Sequence, residues 1–249
     1  MRQQLHLLIV GVKMRGGKNV ADGAALEKQA RQALHLRAGN SAFEKVRTYG
    51  PLVGRNARSG AVRAQMMLMK SRIKSRIAHD QPNDVIVIYY QGREMRDKRG
   101  EFVLADRRNC GNPALDESAI SSSYLSRFLN RTPGAHLLFL DVERIETAGA
   151  KEANLWPRTP HLGMLRVAWS QGKEDIPASL TLIGALSSTV SQAETSDNAE
   201  VRLRSLESRI HSALSEAGGK HPTLPIFDPH VPSELAELIV GKFAQPKPK

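Results

Sequence analysis

Four groups of residues in this 249-residue chain have the types that chemistry uses, and their spacing decides what each is for. Gly11-Val12-Lys13-Met14-Arg15-Gly16-Gly17-Lys18-Asn19 follows an apolar run, where a phosphate-binding loop would stand. Such a loop has about four residues between its first glycine and Gly-Lys-Ser/Thr, and the hydroxyl ligates magnesium. Here five residues separate Gly11 from Gly17, and Asn19 replaces the hydroxyl residue, so a basic loop is the better account and no cofactor is expected. Cys110 is the chain's one thiol, in the turn-forming stretch Arg108-Asn109-Cys110-Gly111-Asn112. A nucleophilic cysteine needs a base beside it, so an incidental loop thiol is the plain reading and a Cys110–histidine pair the alternative. The eight histidines show no HxxxH or HExxH spacing, and no metal site is expected. Finally, nine Lys or Arg residues and no acid lie between Lys45 and His79. Within that run Arg63, Lys70 and Lys74 fall on one helical stripe, either a solvated face or a surface that neutralises phosphates.

The elements that must position these residues alternate between apolar runs and helical periods, as in an α/β protein with a mainly parallel sheet. Strands are expected at 5–12, 43–49, 84–90, 136–141, 162–169 and 223–227. Asp84-Val85-Ile86-Val87-Ile88-Tyr89-Tyr90 is the densest in β-branched and aromatic residues. Helical spacing predicts helices over 24–37, 60–79, 178–192, 199–217 and 233–240. Another starts at a Ser121 or Ser122 N-cap, carries Leu125, Phe128 and Leu129, and is stopped by Thr132-Pro133-Gly134. Residues 93–112 read as turn-rich, with 101–104 one arm of a small hairpin, and 143–161 as a long surface loop. His136, inside a strand, reads as structural. One domain over 1–243 is expected, followed by a Pro/Lys-rich tail or linker at 244–249.

Lys+Arg total 36 against Asp+Glu 25, giving a net charge of +11 and a pI near 10.0. That balance admits nucleic acid, acidic lipid or acidic protein as partners. A single cysteine excludes an intrachain disulfide framework and suits a reducing compartment. No window approaches the roughly 18 apolar residues of a membrane span, and the start lacks a secretory h-region, so a cytoplasmic chain without membrane attachment is expected.

Six segments, in order, carry a resemblance. Leu7-Leu8-Ile9-Val10-Gly11-Val12 resembles the opening strand of caspase-like domains, the fold of caspases, metacaspases and their bacterial relatives (peptidase C14 type). Asn83 to Glu94, NDVIVIYYQGRE, is similar to that family's D-x-x-x-x-Y-Y-S-G-H-G, whose histidine is the catalytic base. Phe102-Val103-Leu104-Ala105-Asp106 and Ser118-Ala119-Ile120-Ser121 resemble its Y-L-x-P-x-D and A-I-S segments. Leu138-Phe139-Leu140-Asp141-Val142-Glu143-Arg144 is similar to L-x-L-D-A-C-R, whose cysteine is the nucleophile. Val167 to Glu174, VAWSQGKE, resembles A-A-S-Q-P-x-E. The resemblance implies about six mostly parallel strands with helices on both faces.

It also implies a lost activity. Arg93 stands at the histidine position and Glu143 at the cysteine position. Arginine keeps its proton at any physiological pH and cannot act as the base. A carboxylate attacking a peptide carbonyl would give a reactive anhydride, so it does not replace a thiolate. In the family's fold these positions face one another at the ends of adjacent strands, which predicts an Arg93–Glu143 ion pair. Asp141 and Ser170 align with positions bordering the family's substrate pocket. Either they preserve a peptide-binding cleft, or Asp141 simply binds loop amides. The expected function is that of a non-catalytic, caspase-like module that binds a protein or peptide or regulates a larger assembly. The alternatives are a cysteine peptidase using Cys110 or another constellation, and nucleic-acid binding through Lys45–Arg76.

Overall fold

The computed structural model describes residues 3–12, 28, 43–77, 84–96, 101–104, 120–144, 156, 161–170, 181–184, 200–218 and 226–242. In chain order these form β1 (Gln4–Gly11), β2 (Lys45–Val53), α1 (Ser59–Ile77), β3 (Val85–Arg96), β4 (Phe102–Leu104) and β5 (Ile120–Ser121). There follow α2 (Ser122–Asn130), β6 (Ala135–Arg144), β7 (Leu162–Ser170), β8 (Glu200–Arg202), α3 (Leu203–Gly218), β9 (Ile226–His230), α4 (Ser233–Ala236) and β10 (Ile239–Lys242).

Continuous apolar runs make strands that need cover on both faces. β1, β3, β6 and β7 are such runs, and they pair in parallel at the centre of the main sheet, whose order is β2-β1-β3-β6-β7-β9. β9 closes one edge antiparallel to β7, and β4 with β5 extends the sheet from the far end of β3. Because side chains alternate along each strand, the sheet has two separate cores. Leu7, Ile9, Val87, Tyr89, Phe139, Leu165 and Val167 meet Leu203, Leu206, Ile210 and Leu214 of α3 on one face. Leu8, Val10, Ile86, Ile88, Leu138 and Leu140 meet Val62, Met66, Met69 and Ile73 of α1, with Leu125, Phe128 and Leu129 of α2, on the other. Each fully buried aliphatic side chain is worth about 1.5–3 kcal/mol in removed surface, so both faces hold the sheet. The expected α/β architecture, with about six mostly parallel strands between two helical layers, is the one found.

Local signals place the connections. The Ser121 side chain accepts the Tyr124 amide at 3.1 Å and caps α2, as the sequence predicts. At Gly134, φ is +119° and a Cβ would sit 2.3 Å from the Asp84 carbonyl oxygen, so only glycine lets β6 start beside β3.

Three expectations are corrected. β3 does not end at Tyr90: it runs six residues further, because Gln91–Glu94 keep pairing with β6 and Glu94–Arg96 form a hairpin with β4. Arg93 to Arg96 are therefore strand, not turn, while 102–104 is the expected hairpin arm. Glu143 and Arg144 likewise belong to β6 rather than to a loop. The helix expected over 233–240 is one turn, after which Ile239–Lys242 turn into a strand on β8, which itself precedes α3. The helix expected over 24–37, most of that over 178–192, Cys110 and the 244–249 tail lie outside the described residues.

Candidate functional site

The C-terminal ends of parallel strands are where open α/β sheets place their sites. There, β3 and β6 bring Arg93 and Glu143 into direct register, and β7 adds Trp169 opposite Glu143. All three lie on the α3 face, since they continue the alternation of Tyr89, Phe139 and Val167. Arg93 Nε donates to Glu143 Oε2 at 3.3 Å, with the carboxylate side chain 2 % exposed and the guanidinium 12 %. Arg93 and Glu143 thus form a nearly buried ion pair, as the sequence reading anticipated.

The backbone under Arg93 is clamped. Its N–H donates to the Tyr90 hydroxyl at 3.1 Å, and that hydroxyl donates back to the Arg93 carbonyl at 3.0 Å. The loop-back requires Gly92: a Cβ there would lie 2.5 Å from the Tyr90 oxygen and 3.0 Å from the Val12 Cβ. Tyr90, Gly92 and Arg93 are the residues quoted above from the family-like segment, and here they serve one local purpose.

Two residues before Glu143, Asp141 is fully buried. Its Oδ2 accepts the Leu182 amide at 3.1 Å and the Tyr89 hydroxyl at 3.4 Å. Burial pushes the Asp141 carboxyl up to about 7, against the opposing pull of the Leu182 and Ile183 amides and the Tyr89 hydroxyl. Tyr89 is raised well above its ordinary value, first by burial and then by the Asp141 charge. Asp141 therefore ties the 181–184 segment to β6. Ser170 ends β7 in register with Arg144, and its side chain lies outside the described residues.

The reverse face of the same strand ends carries a second charged group that no spacing rule would find. Glu94 is 0 % exposed and accepts Arg166 Nε at 2.9 Å and Trp156 Nε1 at 2.8 Å. A second Arg166 nitrogen reaches the other carboxylate oxygen, making the pair bidentate. The Trp156 ring stacks on Phe102 at 5.8 Å, and the Arg96 guanidinium lies 4.2 Å from the Phe102 centroid. This group supports the β3–β4 hairpin.

At the opposite end of the sheet, Asp84 accepts the Gln4 amide at 2.9 Å, His6 Nε2 at 3.0 Å and Arg76 Nε at 2.9 Å. His6 Nδ1 lies 2.9 Å from the Tyr49 hydroxyl. Burial lowers the His6 pKa more than Asp84 raises it, and the network joins β1, β2, α1 and β3. His136 Nε2 bonds the Thr132 carbonyl at 2.8 Å, and burial takes its pKa down to about 4, in keeping with a structural role.

The basic run divides. Arg47 donates to Gln4, Arg76 to Asp84, and the Arg72 guanidinium lies 5.5 Å from the Tyr49 centroid, so these three serve the β1–β2 edge. Of the stripe named from sequence, Arg63 lies 4.8 Å over the Tyr124 ring, Lys70 faces α2 and Lys74 is exposed. The structure adds Arg127 of α2 and Arg131 at its C-cap, four residues apart, to that surface. Among the described residues, no group of three His, Cys, Asp or Glu could hold a metal ion, and no helix is long and apolar enough to cross a membrane.

Comparison with protein-family models gives no match, and comparison with curated proteins gives none either. Solved structures do match. The crystal structure of drICE, a caspase, aligns over 91 % of this chain and 86 % of that chain, with a TM-score of 0.43 and 10 % sequence identity.

Proposed function

We propose that this chain is a caspase-like domain without peptidase activity, acting as a protein-binding or regulatory module, part of a larger protein or assembly. The observation that carries the reading is the Arg93–Glu143 contact of 3.3 Å, at the strand ends where the resemblance puts an imidazole and a thiolate. Cysteine peptidases need a thiolate nucleophile and a group that takes up and returns a proton near neutral pH. A guanidinium paired with a carboxylate does neither. What the pair does supply is closure: each charge answers the other, and the Tyr90 hydroxyl brackets the Arg93 backbone within β3.

The test is hydrolysis of fluorogenic peptides with Arg, Lys or Asp before the scissile bond, at several protein concentrations. No turnover above buffer is expected. Turnover abolished by Cys110→Ala would replace this reading with that of a cysteine peptidase using a different pair of residues.

A further inference from the structure

α1 and α2 lie side by side on the α1 face of the sheet and leave a groove between them of about 310 Å³. Met67, Lys70, Tyr124, Arg127, Phe128 and Arg131 line it. On α1, Arg63, Met67, Lys70 and Lys74 recur at helical spacing and form one wall, which at about 1.5 Å per residue is roughly 16 Å long. Tyr124, Arg127 and Phe128 of α2, with Arg131 at its C-cap, form the other. Neither wall contains an acid: the sequence has none from Lys45 to His79 and none from Ser118 to Leu140. Glu101, which lies beside α2, is committed to the first turn of that helix, where it accepts the Ser123 amide and the Ser122 hydroxyl. No carboxylate meets Lys70, Lys74, Arg127 or Arg131 among the described residues.

We infer that this groove is a docking site for an extended acidic segment of a partner protein that carries an apolar side chain among its carboxylates. The inference deepens the reading of the chain as a protein-binding module, but it uses the opposite face of the sheet from Arg93 and Glu143. Charge complementarity is the first argument. Cations with no acid among them repel one another, and Lys70 already shows it: its pKa is lowered first by burial, then by Lys74 and Arg131. An arriving carboxylate relieves that repulsion, and two arginines at i, i+4 offer it planar, forked donors. Size is the second argument. A wall of about 16 Å matches roughly five residues of extended peptide.

The apolar floor separates a peptide from a nucleic acid. Single strands bind by stacking bases on exposed aromatic faces. Here the Tyr124 ring is covered by Arg63 at 4.8 Å and Phe128 is 5 % exposed, so neither offers a face. Met67, which lines the groove, is instead 56 % exposed, in the middle of the cationic stripe. Thioether surface there suits a leucine-like side chain and has nothing to offer a phosphodiester.

The test is fluorescence anisotropy with three labelled probes on the intact chain: a short peptide alternating Glu and Leu, the same peptide with Leu replaced by Ser, and a single-stranded oligonucleotide of similar charge. The Glu–Leu peptide is expected to bind saturably and to weaken as salt rises. Lys70→Glu with Arg127→Glu should weaken it by roughly tenfold or more, and so should Arg131→Glu in combination with either. Met67→Ser should weaken the Glu–Leu peptide by about threefold and leave the Glu–Ser peptide unchanged. Arg204→Glu, on the exposed side of α3, is the charge control and should change little. All these side chains are at least partly exposed, and unaltered melting checks that the variants fold. The inference is overturned by any of three results: no saturable binding of the Glu–Leu peptide, equal loss in Arg204→Glu, or tighter binding of the oligonucleotide with no effect of Met67→Ser. None of these touches peptide hydrolysis, so the groove and the inert strand ends stand or fall separately.

Discussion

Removing one partner of the Arg93–Glu143 pair is the most informative perturbation of the strand ends. At 3.3 Å, and with an effective dielectric constant of about 20, the Coulomb attraction is roughly 5 kcal/mol. The carboxylate side chain is 2 % exposed and the guanidinium 12 %, so desolvation cancels a large part of it. Arg93→Met leaves the buried Glu143 charge without its guanidinium, and the expected cost is about 2–4 kcal/mol. Glu143→Gln, which keeps the volume and some hydrogen bonding, should cost about 1–3 kcal/mol. The double variant Arg93→Met/Glu143→Leu removes both charges and should be no worse than Arg93→Met alone. Urea denaturation of wild type, Arg93→Met, Glu143→Leu and the double variant closes a cycle, provided the slope with denaturant stays constant. A coupling energy of about 1–3 kcal/mol is expected. Additivity within about 0.5 kcal/mol would refute the claim that these residues act as a pair.

Three further expectations come from the surroundings. Asp141 has a folded-state pKa of about 7 against an ordinary 3.8, so the folded chain keeps a proton that the unfolded chain gives up. Its contribution to stability is full below 3.8 and is lost as pH rises to about 7, by at most about 4 kcal/mol at roughly 1.4 kcal/mol per pH unit. His136, lowered from 6.5 to about 4, acts in the opposite sense over much of that window, which makes the wild-type profile flat. Asp141→Asn should therefore gain stability relative to wild type between pH 4 and 7, and a pH-independent difference in denaturation midpoint contradicts the assignment. Gly92→Ala should cost about 1–3 kcal/mol by displacing the end of the Tyr90 ring and its hydroxyl, and calorimetry should find a smaller cost in a Tyr90→Leu background. Equal costs in both backgrounds would mean that the clash lies elsewhere. Glu94→Gln should destabilise by about 3–5 kcal/mol, because Arg166 is then a buried charge without a carboxylate; Glu94→Met with Arg166→Met should recover most of it.

The sheet was legible because its central strands are continuous apolar runs, and a run buried on both faces leaves that mark on any sequence. Ser121 was legible as a cap because its hydroxyl serves a backbone amide three residues away. The far end of β3 was not. Gln91-Gly92-Arg93-Glu94-Met95-Arg96 reads as a polar turn, and it is strand only because Glu143, Arg166 and Phe102, all distant in sequence, answer its charges. The same holds for 239–242, where pairing with β8 overrides a helical period. At the site, Arg93 facing Glu143 was visible through the family-like segments, whereas the Glu94–Arg166–Trp156 group was not. Its members are 62 and 72 residues apart in sequence and carry no spacing. Charge composition named the basic surface but could not apportion it: Arg47, Arg72 and Arg76 turn inward, and Arg127 and Arg131 come from another helix.

The central claim is that the strand ends at Arg93 and Glu143 carry no hydrolytic chemistry. Its most direct measurement is exposure of a diverse peptide library to the purified chain, with new termini read by mass spectrometry and Cys110→Ala run in parallel. The account predicts the same termini in both samples and in buffer. New termini with one consistent residue before the cut, present with wild type and absent with Cys110→Ala, would contradict it.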